Sequence, residues 1–341
     1  MINQVYRLVS PRQFEVANIN KELNSEQVVI KPTYLAICHA DQRYFNGSRD
    51  KKTMKKKLPM ALIHEGVGEV VYDSKGEFKV GTSVVMIPNT PAETDSIIAE
   101  NYLPTSKFRS SGYDGFMQDY VFLGRDRVIE VPKNLDQKIA AITELISIST
   151  HAITRFESRS NINRSIIGVW GDGNLGYLTA LLFKRLYSES KVYVFGKNSY
   201  KLDYFSFVDE TFVIDEVPES LIIDHAFECV GGIGSKHAIN QIIDLIRPEG
   251  TISLLGVTED PIEINTRMVL EKGLNLYGSS RSGHDDFQKT IDIISKDDEL
   301  QGYLDNLMGH IQEVRDIDDI IAAFEADMSS NWGKTILHWK I

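Results

Sequence analysis

The run Ile166-Ile-Gly-Val-Trp170 feeds directly into Gly171-Asp-Gly173-Asn-Leu-Gly176, which opens onto the helical text Tyr177-Leu-Thr-Ala-Leu-Leu-Phe183. This is G-x-G-x-x-G after a strand and at the start of a helix, the context in which glycine spacing has chemical meaning. The first glycine makes the turn, the second lets backbone approach a pyrophosphate, and the third lets helix pack close to strand. The helix N-terminus then offers N–H groups to the anion. Gly171, Gly173, Asn174, Leu175 and Gly176 are therefore candidate contacts to a dinucleotide. The competing reading, a tight turn between packed elements, is weakened by the rhythm of the next hundred residues. Strand-like runs at Lys191–Phe195, Thr211–Ile214, His225–Glu228, Thr251–Leu255 and Leu274–Tyr277 alternate with amphipathic segments. That alternation builds a parallel sheet with crossover helices.

About 20 residues past the last glycine, an acid selects NAD by bonding the ribose 2'-hydroxyl. Here that position is Gly196, followed by Lys197-Asn-Ser199-Tyr-Lys201. With no carboxylate to repel a 2'-phosphate and two cations and a hydroxyl at hand, Gly196, Lys197, Ser199 and Lys201 predict NADPH. The alternative is a solvated loop.

Before Pro132 the text changes character. Short β-like runs such as Gln27-Val-Val-Ile-Lys and Thr82-Ser-Val-Val-Met-Ile alternate with Gly, Pro and Asp, which reads as antiparallel β. A helical segment over 135–156 joins this half to the parallel sheet, and the tail from about Arg281 holds two helical patterns and a strand-like Lys334-Thr-Ile-Leu-His-Trp. Within the β-rich half, Cys38 follows a strand-like run and His64-Glu65 follows Leu62-Ile; Glu144 lies in the joining helix. Taken singly, a Cys is most often a small core residue and a His a satisfied core side chain. Taken together, thiolate, imidazole and carboxylate are the ligand types of a zinc site that keeps one position open.

At 341 residues the chain is long enough for about two domains, and its net charge of -11 disfavours nucleic acid and anionic membranes as partners. Two widely separated cysteines make no disulfide framework. No basic-then-apolar leader opens the sequence and no apolar run approaches a membrane span, so a cytoplasmic protein is expected. The charge is unevenly spread. Arg43 and the stretch from Arg49 to Lys57, with six basic residues against Asp50 alone, stand out in an acidic chain. They suit a phosphate, with Arg43 and Arg49 as candidate contacts; a solvated basic loop is the plainer reading of the lysines.

Cys38-x-x-Asp41, His64-Glu65-x-x-Gly68, Asp114-Gly115-Phe-Met-Gln-Asp-Tyr, the glycine motif, Glu228-Cys-Val-Gly-Gly and Leu276-Tyr-Gly278-Ser together resemble the zinc-dependent medium-chain dehydrogenase/reductases over essentially the whole length. The resemblance implies an α/β chain with a β-rich GroES-like catalytic domain, residues 1–147 and 281–341, enclosing a doubly wound Rossmann domain, residues 148–280. It also implies a homodimer and a catalytic zinc environment of Cys38, His64, Glu65 and Glu144. Between Pro88 and Gly115 there is no cysteine, so the structural zinc lobe of many relatives is absent and one zinc per chain is expected. The usual relay positions hold Ala40 and Arg43, which leaves the proton donor open among water, a substrate hydroxyl and His39. The stretch from Tyr34 to Arg49, the missing lobe and the Gly196-Lys197 loop look like the ribulose-5-phosphate reductases of teichoic acid and capsule synthesis. That likeness implies NADPH-dependent reduction of D-ribulose 5-phosphate to D-ribitol 5-phosphate, and a complex with a cytidylyltransferase that makes CDP-ribitol. A polyol or sorbitol-type dehydrogenase acting on an unphosphorylated sugar is the alternative enzyme, and a non-catalytic dinucleotide-binding sensor or scaffold the alternative of another class.

Overall fold

The computed structural model describes residues 1–341, which divide into two compact units, Met1–Leu145 with Ser282–Ile341, and Ile146–Arg281. In the second unit six parallel strands lie in the order Glu210–Val213, Lys191–Gly196, Ile166–Trp170, Ile223–Glu228, Ile246–Leu254, Asn275–Gly278. The order reverses direction beside Ile166–Trp170, the arrangement of a dinucleotide-binding sheet whose ligand crevice lies at the carboxyl ends of the strands. The three central strands, Lys191–Gly196, Ile166–Trp170 and Ile223–Glu228, are buried on both faces, which is why they read as apolar runs without alternation. Register puts Trp170 opposite Phe195, and their rings stack 3.8 Å apart. The helix Asn174–Leu186 starts directly after the glycines.

The first unit is built on a mostly antiparallel sheet in the order Val128–Glu130, Ser83–Met86, Glu65–Asp73, Gln27–Ala36, Lys334–Trp339, Met308–Val314, with Val121–Gly124 also paired to Gln27–Ala36. Lys334–Trp339 lies inside this sheet, antiparallel to Gln27–Ala36 and parallel to Met308–Val314. The crossover between the two parallel strands is the helix Ile317–Ser329. Phe324 of that helix stacks on Phe45, 4.7 Å away, and both meet Phe14, so the C-terminal strands are packed to the N-terminal ones through a common aromatic core.

Two local expectations are corrected. The single helix expected over 135–156 is two, Gln137–Ala141 and Thr143–Arg159. Asp136 caps the first through the Lys138 N–H, and the Thr143 hydroxyl bonds the Ala140 carbonyl at the break. The tail also holds three helices rather than two, with the strand Met308–Val314 among them. Its side chains alternate between partly covered and exposed positions, an edge-strand pattern with weak apolar content.

Candidate active site

Cys38 ends the run that follows strand Gln27–Ala36 and caps the helix His39–Phe45. Three residues on, the fully buried Asp41 turns back on it. One carboxylate oxygen of Asp41 accepts from the Cys38 N–H at 3.3 Å and lies 3.8 Å from His64 Nδ1. The other oxygen accepts from the Ile63 N–H at 3.0 Å and the Ser110 hydroxyl at 2.6 Å. A single carboxylate therefore ties together the segments that carry Cys38 and His64. Ile63, the residue before His64, has φ 68°, an uncommon conformation for a β-branched side chain. The Asp41 bond and a 2.7 Å bond from the Phe116 N–H to the Ile63 carbonyl hold it there. Strain of this kind persists only where surrounding contacts over-determine it, and here it aims the imidazole at Cys38.

Glu65 begins the strand Glu65–Asp73 opposite Ala36, and Ala36 pairs in turn with Ile336. The neighbouring Lys334 is thereby placed with Nζ 2.7 Å from Glu65 Oε1, both side chains almost wholly buried. Glu65 Oε2 is buried and has no hydrogen-bond partner. Cys38 Sγ is 4.0 Å from His64 Nδ1, and the ligand atoms of Cys38, His64 and Glu65 all lie within 4.8 Å of one another. Ligands at the usual Zn–S and Zn–N lengths in a tetrahedron stand about 3.5 Å apart, so a small contraction accommodates zinc. The orphaned carboxylate oxygen is the donor such an ion needs. Glu144, buried in the first turn of Thr143–Arg159, lies outside this group of three, near enough for its charge to act on Glu65.

The electrostatics fit a cation as well. Burial pushes the Cys38 thiol up, with Asp41 and Glu65 adding to the effect and Lys334 opposing it. Burial pushes Glu65 up to about 8; Lys334 pulls it back, and Glu144 and Asp41 push it further. Burial opposes the charge on Lys334, but the attraction of Glu65 and Cys38 prevails and raises it. Acidic groups crowd a low-dielectric pocket with one buried ammonium among them, and a divalent ion reverses that balance.

Arg43 occupies the last turn of the helix that Cys38 caps. Burial, and then the like charge of Arg49, lower its affinity for the proton. Arg49 lies over the Tyr44 ring at 4.9 Å and Lys57 over the same ring at 5.9 Å, while Lys57 Nζ donates to Ser111 at 2.9 Å. Lys51, Lys52, Lys55 and Lys56 are exposed. The basic stretch thus splits into a solvated face and a pair of anchored cations, and Lys57 joins the candidates that the sequence singled out. His39 is exposed and bonded to Gln42.

In the second unit Gly171 has φ 129°, and a Cβ on Gly176 would stand 1.9 Å from the Gly171 carbonyl oxygen. Gly173 faces open space, a cradle with room for a pyrophosphate before the helix Asn174–Leu186. Lys197 and Ser199 are exposed and Lys201 is half-buried. Gly171, Gly173, Gly176, Gly196 and these side chains all fall at the carboxyl ends of the first two strands of the sheet.

Lys334 is the site residue that sequence reasoning missed. It is 269 positions from Glu65, and nothing near it in the sequence marks it as more than the start of a strand. Asp41 is visible in the sequence only as part of a motif, without a role.

Residues 24–133 match the alcohol dehydrogenase GroES-like domain and residues 189–296 the zinc-binding dehydrogenase domain. The chain is 59% identical over 339 residues to ribulose-5-phosphate reductase 1 of Staphylococcus aureus, covering 99% of each chain. It is 58% identical to ribulose-5-phosphate reductase of Bacillus spizizenii over the full length of both. A crystal structure of S. aureus TarJ in complex with NADPH superposes with a TM-score of 0.90 at 53% identity, again over the whole of both chains.

Proposed function

The chain belongs to the ribulose-5-phosphate reductases within the zinc-binding dehydrogenases, and from that premise we propose that it transfers hydride from NADPH to the C2 carbonyl of D-ribulose 5-phosphate. One proton is taken up at O2, and D-ribitol 5-phosphate and NADP+ leave. Cys38, His64 and Glu65 hold one catalytic zinc, with Glu144 completing the charge around it. Bound zinc supplies Lewis acidity at the carbonyl oxygen and bound NADPH supplies the hydride. The protein's own part is positional. Asp41 fixes the backbone at Cys38 and at Ile63, beside His64, and Lys334 holds one oxygen of Glu65 so that the other stays free.

The observation that carries the phosphate reading is one short helix. Cys38 caps it and Arg43 lies in its last turn, so a backbone rise of about 7.5 Å along the helix axis separates the residue that carries the metal thiol from the one that carries the guanidinium. In the substrate three carbons and an oxygen separate the reacting carbonyl carbon from phosphorus. Arg43, Arg49 and Lys57 bind that phosphate. The chain has two cysteines, both unpaired, and the ribbon of Asn89–Thr90 and Lys107–Phe108 contains none, which supports a single zinc per chain without a structural second site. No helix is long and apolar enough to cross a membrane. We place the enzyme in the cytoplasm as a homodimer, delivering its phosphorylated product to a cytidylyltransferase that makes CDP-ribitol for teichoic acid.

The test is oxidation of NADPH with ribulose 5-phosphate, xylulose 5-phosphate, fructose and simple ketones. Ribulose 5-phosphate is expected to turn over best. Arg43→Ala should raise KM for phosphorylated substrates roughly 10- to 100-fold, the range of a lost charge-assisted bond. Faster turnover of an unphosphorylated ketose would make this a polyol dehydrogenase instead.

A further inference from the structure

The acid that reads ribose in a dinucleotide site normally ends the second strand and faces the glycine turn. In this chain the geometry is reversed. Asp172, between Gly171 and Gly173, points back at the end of strand Lys191–Gly196. Its Oδ2 accepts from the Lys197 N–H at 2.9 Å, the Asn198 N–H at 2.7 Å and the Asn198 side-chain amide at 3.0 Å. Gly196 is part of the same device. A Cβ built there would stand 2.7 Å from Asp172 Cβ, 2.7 Å from Leu202 Cδ2 and 3.1 Å from Asp172 Oδ2. The room that a side chain at 196 needs is already filled by the Asp172 side chain.

We propose that Asp172 is a positioning residue that sets ribose specificity: it closes the place from which a carboxylate would select NADH, and it fixes the turn that offers Lys197, Ser199 and Lys201 to a 2'-phosphate. The inference rests on the NADPH reading and adds its cause. With both backbone N–H groups of the turn bonded inward to Asp172, they are not available to the cofactor, and the phosphate is read by side chains. Three donors on one oxygen satisfy Oδ2 and hold the carboxylate against the turn. Lys197 and Ser199 are exposed, so a phosphate can reach them. Gly196 is glycine because Asp172 and Leu202 leave no volume for a side chain, and the absence of an acid at that position is a consequence of Asp172.

The test measures binding without turnover, by calorimetric titration of the zinc-loaded enzyme with 2',5'-ADP and 5'-AMP. Wild type should prefer 2',5'-ADP; no preference would overturn the NADPH reading itself. Asp172→Ala should cut that preference at least tenfold while 5'-AMP binding holds, and Asp172→Asn, which keeps an acceptor for the two backbone N–H groups, should restore it to within threefold of wild type. Should the alanine variant fail to fold, Asp172→Glu carries the same expectation, because one more methylene misplaces the accepting oxygen. Gly196→Asp alone should lose 2',5'-ADP binding without gaining NADH. Parallel loss of both probes in Asp172→Ala would reduce Asp172 to a general structural role. Tighter 2',5'-ADP binding in that variant would show that the carboxylate opposes the phosphate, and a gain of NADH by Gly196→Asp would show that the position is open. Each of these three results overturns the proposal.

Discussion

Replacing Lys334 with Met keeps the length and apolar stem of the side chain and removes only the ammonium that holds Glu65. The two groups are 2.7 Å apart, with side-chain exposures of 4% and 0%, so no water takes the ammonium's place. Removing one member of such a pair costs up to about 3–5 kcal/mol, the upper end applying at alkaline pH, where Glu65, already pushed up to about 8 by burial, stays charged without its partner. In a unit of about 200 residues each kcal/mol moves the melting temperature by about 2–4 °C, which predicts a fall of up to about 6–20 °C in metal-free protein at alkaline pH. With saturating zinc the fall should be smaller, because the ion takes over the compensation of the Glu65 carboxylate. The double variant K334M/E65Q should recover most of the metal-free loss, since both charges are then gone. Scanning calorimetry of the three proteins with and without zinc reads all of this. A loss under 2 °C in Lys334→Met, or one that zinc leaves unchanged, would refute the account of a desolvated pair facing a metal.

Metal analysis of purified enzyme should give one zinc per chain, and dialysis against a chelator should abolish NADPH oxidation until zinc is restored; two equivalents would show a second, structural site. His225 makes a pH prediction for the other unit. It is fully buried, accepts a 3.0 Å bond from the Thr251 N–H and meets the Phe156 ring edge-on, and burial, partly offset by the charge of Asp224, lowers it from 6.5 to about 4. Between those values the unfolded chain binds the proton and the folded one does not, so stability is full above about pH 6.5 and is lost as pH falls toward 4. The loss is about 3 kcal/mol at most. A His225→Leu variant should flatten the slope of urea midpoint against pH in that window, and an unchanged slope would assign the acid sensitivity elsewhere.

The features legible in the sequence are those written in periodicity and spacing. All six parallel strands are readable, with ends off by up to five residues, and the central three are so because burial on both faces leaves unbroken apolar runs between turn residues. The glycine motif is readable from its spacing: Gly171 and Gly176 answer local steric demands, and Gly173 leaves open space for a ligand. Cys38, His64 and Glu65 stand out as ligand types, and the fold brings them within 4.8 Å. Lys334 and Asp172 do not stand out, and the reasons differ. Lys334 acts through a contact made only when distant strands pair. Asp172 sits in a position that the motif treats as arbitrary, and its role exists only relative to a glycine 24 residues later. The strand Met308–Val314 escapes notice because an edge strand with one half-covered face carries little apolar signal.

The place of Lys334–Trp339 inside the first unit's sheet sets an order of events during synthesis. Glu65 emerges from the ribosome 269 residues before Lys334, and at 5–20 residues per second the two are separated by about 15–50 s. Throughout that interval strand Gln27–Ala36 lacks its neighbour on one side, and the buried carboxylate lacks its ammonium. The nucleotide-binding unit, contiguous from Ile146 to Arg281, has every strand of its sheet in hand before that neighbour is translated. A nascent chain should therefore acquire its dinucleotide cradle first and its metal pocket last, and a stop codon before residue 334 should yield a protein that holds nucleotide and never matures a zinc site.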